Sequence, residues 1–146
     1  MEYHISYSDE ENPTTFSRRD IRDFLYEHLE EYGDSKEAIE KCISFAYGDE
    51  HGQDGFIVIA HEDDDIAGIV IINDTNMSLY IPEHFLVYIA VNKKYRRRGI
   101  GQKMIEIVNE NTEGDIALHV EPDNPAKELY EKMGFTNKYL EMRLTK

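Results

Sequence analysis

One cysteine and no tryptophan stand in a chain of 146 residues, and no apolar run exceeds seven residues, reached at 66–72 (with its Gly68) and at 85–91. A lone Cys42 closes no internal disulfide, so stability has to come from a packed core. Seven residues fall far short of the roughly 20 that span a bilayer, which excludes a membrane segment. The first residues are acidic and mixed, without a basic stretch leading into an apolar one. No signal peptide is therefore expected, and the cytoplasm is the default compartment. Positive charge is scarce too: 16 Lys and Arg oppose 30 Asp and Glu, a net charge of −14. Such a surface repels phosphate backbones, and no nucleic-acid partner is expected. Metal-ligand spacings are missing as well. Cys42 has no second Cys, and the six His never form a His-x-x-x-His pattern, so no metal is expected. Asp63, Asp64 and Asp65 read as solvated residues of a turn.

The few basic residues are concentrated. Lys93, Lys94, Arg96, Arg97 and Arg98 place five of the sixteen within six positions. An apolar stretch at 85–91 runs through this basic turn into Gly99, Ile100 and Gly101. Ile100, Met104, Ile105 and Val108 then mark one face of a helix. A helix N-terminus carries unpaired N–H groups and a partial positive charge, and glycines remove the side chains that would keep an anion away from them. A phosphate-bearing ligand is the natural guest. A local positive patch on an acidic body suits a small polyanion better than a long duplex.

The rest of the chain reads as mixed α/β in one domain over 1–146, without repeats or linkers. Residues 2–7 form a first strand. Ser17 with Asp20 makes a capping box, followed by Ile21, Phe24, Leu25, His28 and Leu29 on one helical face, with Gly33 as the stop. Asp34 with Glu37 starts a second helix, whose stripe is Ile39, Cys42, Ile43 and Ala46. Residues 55–61 and 66–73 flank an acidic tip and read as a hairpin. The stretch 85–91 is apolar at every position, as expected of a central strand covered on both faces. A strand at 115–120 follows, then a helix capped by Asn124 and Pro125 and ended by Gly134, then a last strand at 139–144.

Spacing discriminates among phosphate loops. A Walker-type loop fails because Arg96 stands at its first Gly. A dinucleotide fingerprint fails at Met104, where a third Gly is required. What remains is Arg-x-x-Gly-x-Gly at Arg96, Gly99 and Gly101. Further on stand Asp123, Asn124, Pro125, Ala126, Leu129, Tyr130, Gly134 and Phe135, with Asn before a helix and Tyr-x-x-x-Gly-Phe closing it. Together these resemble the acetyl-CoA-binding core of the GNAT superfamily of N-acetyltransferases, and the specific part of the resemblance lies within 86–135.

The resemblance implies the fold order β-α-α-β-β-β-α-β-α-β around a mixed sheet that splays between its fourth and fifth strands. It implies acetyl-CoA as acetyl donor and a primary amine as acceptor. The cofactor-binding residues would be Ile89, Ala90 and Val91 on the fourth strand, Arg96, Arg97, Arg98, Gly99, Ile100, Gly101 and Gln102 in the loop, and Asn124 and Tyr130. Tyr130 would act as general acid toward the CoA sulfur. Asn124 would bond the pantetheine arm or simply cap the helix; the family spacing to the Tyr is one residue longer, so Asp123 competes for that place.

The base is not marked. The family position for it is occupied by Phe85, which leaves His119 on the fifth strand, Glu83, or water leading to carboxylates. This gap keeps open an alternative: a domain that binds acetyl-CoA without efficient transfer. The acidic residues Glu30, Glu31, Asp34, Glu37 and Glu83 favour a cationic acceptor by concentrating cations. Monomer and homodimer are both compatible with the chain.

Overall fold

A computed structural model describes residues 1–146. Five strands form one sheet in the order β1 (Glu2–Ser6), β2 (Gly55–Glu62), β3 (Asp65–Asp74), β4 (His84–Val91), β5 (Ile116–Leu118). Neighbours are antiparallel except β4 and β5, which run parallel. Helices α1 (Arg18–His28) and α2 (Lys36–Ala46) cover one face, α3 (Ile100–Glu110) covers the other, and α4 (Ala126–Lys132) follows β5.

The first helix starts where its sequence says it should. Ser17 accepts from the Asp20 backbone N–H, and Asp20 accepts from that of Ser17, so two otherwise orphaned donors are satisfied. Ile21 and Leu25 are fully buried on its inner face, each contributing about 1.5–3 kcal/mol by leaving water. The cap of α2 differs from expectation. Ser35, one residue later than Asp34, accepts from Ala38 N–H. Asp34 instead accepts from the Tyr88 hydroxyl of β4 at 2.6 Å, a longer-range bond that outcompetes local capping. The expected stripe of Ile39, Cys42, Ile43 and Ala46 is buried. Burial pushes the Cys42 thiol up to about 12, so it is a core residue rather than a nucleophile.

The covered middle of the sheet is β3, where residues 66–72 are buried without interruption. The 85–91 stretch is not buried on both faces as expected. In β4 only alternate residues, Leu86, Tyr88 and Ala90, are buried, because the strand beyond it pairs over three residues only. A β-bulge also interrupts β4: Ile71 of β3 faces Tyr88 and Ile72 faces Leu86, leaving Val87 without a partner. Val87 and Tyr88 consequently lie on the same face, with the α1–α2 core, whereas Leu86 and Ile89 lie with α3.

Helix α3 sits close to the sheet because β3 carries Gly68. A Cβ there would stand 2.8 Å from Met104 Cε and 3.2 Å from Ile100 Cγ2. The architecture expected from the sequence is present from β1 through α4. The last expected strand is not formed: residues 139–144 have no regular structure, and Tyr139, Leu140, Met142 and Leu144 are exposed. Alternation supplies a strand pattern, but pairing needs an edge, and β5 offers only three residues.

Candidate active site

Strands β4 and β5 meet at one end only. Their register runs His84 with Ile116, Phe85 with Ala117 and Leu86 with Leu118, and stops there. The stop falls one residue before the bulge at Val87. Beyond it the β4 edge from Val87 to Val91 has no strand beside it, so its polar backbone groups on that side face a cleft. Ile89, Ala90 and Val91 all lie on this free stretch.

At the open end of the cleft the chain turns through a 3₁₀ segment (Lys93–Tyr95) into α3. Arg97 has φ 66° and Gly99 has φ 74°. Gly99 is the N-cap residue of α3 and contributes no capping side chain, so the first N–H groups of the helix have no partner from the cap. The two glycines serve different needs. Gly99 takes a left-handed conformation with open space around it, whereas Gly101 is hemmed in: its Cβ would lie 3.0 Å from Leu129 Cδ2 of α4 and 3.9 Å from Val91 Cγ2 of β4. Gly101 thus marks the point where α3, α4 and β4 approach one another most closely around the turn. Ile100 is buried beneath the turn, and Gln102 donates to Glu106 one helical turn on.

The basic side chains are not idle. Arg96 donates to the Val91 carbonyl at 3.3 Å and to Glu30 at 3.2 Å. Lys93 also reaches Glu30, at 3.3 Å, and these bonds hold the Glu30 carboxyl below the usual range, Lys93 being the larger cause. Arg98 lies 5.3 Å above the Tyr95 ring. Glu30 belongs to the α1–α2 connection and has φ 57°. Two further contacts carry that connection across the cleft: Asp34 to Tyr88, and the Tyr32 hydroxyl donating to the Asp123 carbonyl at 3.2 Å. None of these tertiary pairs is signalled by a local motif.

Tyr130 of α4 is 7% exposed, and its ring meets Phe135 edge-on at 5.9 Å. Burial alone pushes its hydroxyl up to about 12. Gly134, with φ 101°, ends the helix and lets Phe135 N–H donate to the Tyr130 carbonyl. Asn124 accepts from Ala126 N–H at 2.9 Å, which is a turn bond at the start of α4. Asp123 is held through its backbone by Tyr32.

The sequence candidates for the base separate in space. Glu83 stands just before β4 and accepts from Asp115 N–H at 3.3 Å, at the paired end of the strand. Six residues of extended chain, about 20 Å, divide it from Ile89. His119 follows β5 directly and is exposed, and its ring stands edge-on to Phe85 at 4.8 Å. His84 is fastened between Asp74 at 2.6 Å and the Glu113 carbonyl at 2.8 Å. Sequence reasoning passed over Tyr88 and read its partner Asp34 as a helix cap, since only the bulge turns Tyr88 toward the α1–α2 connection.

No helix is long and apolar enough to cross a membrane. Among solved structures, a Pyrococcus furiosus protein assigned as an acetyl transferase shares 25% identity, each chain covering 99% of the other, with a TM-score of 0.61. Aminoglycoside N-acetyltransferase AAC(6')-Iy in complex with CoA has the same fold at 16% identity and a TM-score of 0.68, over 99% of this chain and 95% of that one. The ribosomal-protein-alanine N-acetyltransferase from Brucella melitensis biovar Abortus 2308 does so at 16% identity and 0.65, over 99% of both. No curated protein matches the sequence. The model of the acetyltransferase (GNAT) domain matches residues 53–137, more than half of the chain and the whole stretch from β2 through the loop to α4, and the protein belongs to the GNAT acetyltransferase family.

Proposed function

We propose that this protein is an N-acetyltransferase that moves acetyl from acetyl-CoA to a primary amine by direct attack in a ternary complex. One observation carries the reading: the unpaired edge of β4 lies beside the N-terminus of α3, whose cap residue Gly99 supplies no side chain. An extended pantetheine arm fits such an edge as an added strand does, and pyrophosphate fits unpaired N–H groups backed by Arg96, Arg97 and Arg98. Gly99, Ile100, Gly101 and Gln102 supply that N-terminus, and Asn124 borders the far wall.

The reaction needs a deprotonated amine, donors for the tetrahedral oxyanion and a proton for the departing sulfur. Within Ile89, Ala90 and Val91, the backbone N–H groups that point away from β3 serve as the oxyanion donors, since successive N–H groups of a strand alternate between its two edges. As the C–N bond forms and the C–S bond breaks, Tyr130 donates to the developing thiolate. A phenol near 12 is a weaker acid than a thiol at about 8.5, so its hydroxyl acts by a hydrogen bond that strengthens as the C–S bond breaks; the proton lost by the amine restores the balance. His119 is the base best supported by position, because it lies against Phe85 and brings an imidazole next to the place where Phe85 offers none. Glu83 is disfavoured by its distance along the strand.

The acceptor is a cationic amine: a polyamine-like molecule or a lysine or N-terminal amine of a peptide. The α1–α2 connection, with Glu31 and Asp34, borders the cleft and is acidic, as is Glu37 in the first turn of α2, which concentrates such cations. A panel of cationic, neutral and acidic amines and peptides assayed by release of free CoA thiol tests both statements. Thiol release with cationic acceptors, with a KM that rises with ionic strength, is expected. Preference for acidic acceptors would overturn the acceptor class alone. The absence of any base at position 85 favours a second reading, an acetyl-CoA-binding domain without efficient transfer; CoA binding without thiol release for any amine would establish it.

A further inference from the structure

At the opposite edge of the sheet, three side chains with metal-ligand chemistry converge on one face. Glu2 and His61 are direct cross-strand partners in the β1–β2 ladder, and His4 pairs with Ile59 two residues along. Since side chains two apart share a face, Glu2, His4 and His61 project together toward the side covered by α1 and α2. Their ligand atoms all lie within 4.8 Å of one another.

His61 is prepared for coordination in two ways. Its Nδ1 lies 2.9 Å from the Asp63 carbonyl. A carbonyl only accepts, so Nδ1 carries the hydrogen, and the neutral ring presents its lone pair at Nε2. This is the orientation that metal-bound histidines take through their second nitrogen. Nε2 itself is buried without any hydrogen-bond partner. Its nearest polar atom in Glu2 is 3.9 Å away, too far for a hydrogen bond. The ring is fixed by Phe16, edge-on at 5.4 Å, and by His4, stacked at 5.2 Å. The bulge in the pairing of β2 with β3 puts its extra residue, Ala67, on β3, so β2 keeps its regular alternation through His61.

We propose that Glu2, His4 and His61 bind a divalent cation of the zinc class. Two imidazoles and one carboxylate suit zinc and its first-row neighbours rather than calcium or magnesium, which prefer oxygen. Tetrahedral ligation at about 2.0–2.2 Å places ligand atoms roughly 3.3–3.5 Å apart. The 3.9 Å pair is close to this, and Glu2, with 64% of its side chain exposed, is free to close the rest. Three protein ligands leave a fourth position for water. The cation would clamp edge strand β1 to β2, with β3 between this pair and β4, so its role is in holding the fold rather than in acetyl transfer.

The test titrates the chelator-treated full chain with Zn2+ by calorimetry and with Co2+ by visible absorption. One Zn2+ per chain, a tetrahedral Co2+ spectrum and a thermal midpoint raised by Zn2+ are expected. His4→Ala and His61→Ala are each expected to weaken binding by more than about ten-fold, while His51→Ala, in an exposed turn, leaves it unchanged. His4→Ala, a partly exposed edge-strand change, reads out binding even if His61→Ala compromises folding. No binding at submillimolar Zn2+, or affinity unchanged in a folded His4→Ala chain, would overturn the site.

Discussion

Gly101→Val tests the cleft most directly, because it adds bulk at one point of known clearance. The added Cβ starts 3.0 Å from Leu129 Cδ2 and 3.9 Å from Val91 Cγ2. The first of these distances is already tight, and the two γ-methyls extend about 1.5 Å further. The fold cost is that of overpacking, about 1–3 kcal/mol, offset by a few tenths from replacing glycine within a helix. A net loss of about 1–2 kcal/mol lowers Tm by roughly 2–8 °C, which leaves a folded protein. The ligand effect is larger in consequence, since the methyls crowd the start of α3, over which the phosphates are proposed to rest. CoA affinity is expected to fall by at least about ten-fold, or 1.4 kcal/mol. Calorimetric titration with CoA, paired with a thermal melt, separates the two effects. Gly101→Ala provides the graded control, as the end of Leu129 can yield to one methyl. A folded Gly101→Val protein with undiminished CoA affinity would refute the placement of CoA over the start of α3.

Tyr130→Phe is expected to lower kcat by about 10²-fold with little change in acetyl-CoA affinity; rapid-quench kinetics giving wild-type chemistry would make the hydroxyl structural. The working form of Tyr130 is protonated, and with its hydroxyl pushed up to about 12 it stays so through the assay range. The kcat profile should therefore show no descending limb below about pH 10, and a fall centred near pH 8–9 would assign the proton to another group. Glu30→Gln removes the carboxylate that shares Lys93 and Arg96 with the incoming phosphates, so CoA should bind about two- to five-fold more tightly. Unchanged affinity would mean that the two never compete.

The parts of this protein that were legible in its sequence are those encoded locally. The turn at Arg96, Gly99 and Gly101 into α3, the Ser17 cap and the closing run from Leu129 to Phe135 each depend on neighbours a few residues away, and each forms where spacing places it. What was hidden is tertiary. Both glycines of the loop were read as serving phosphate approach, yet Gly101 is also fixed by Leu129, a residue of another helix. Asp34 read as a helix cap because nothing local reveals the bond to Tyr88. The pairing of Glu30 with Arg96 joins residues 66 apart, and no spacing rule reaches that far. His4 and His61 have no shared motif; a strand ladder brings them together. The pattern at 139–144 is a good strand pattern without a partner edge, and periodicity alone does not distinguish that case from a paired strand.

The bulge in β4 gives the cleft an unusual genetic basis. Without Val87, the strand reads Leu86, Tyr88, Ile89, Ala90, Val91, which alternates between the two faces in step with the observed packing. Val87 is therefore a residue spliced into an otherwise regular ladder, and the parallel pairing with β5 ends immediately before it. The opening between the strands is written as a count, one residue more on β4 than on β3, and not as the identity of any side chain. Substitutions along β4 that respect size leave such a feature in place, whereas a change of length erases it. The opening is thus buffered against the commonest kind of mutation while its side chains remain free to diverge.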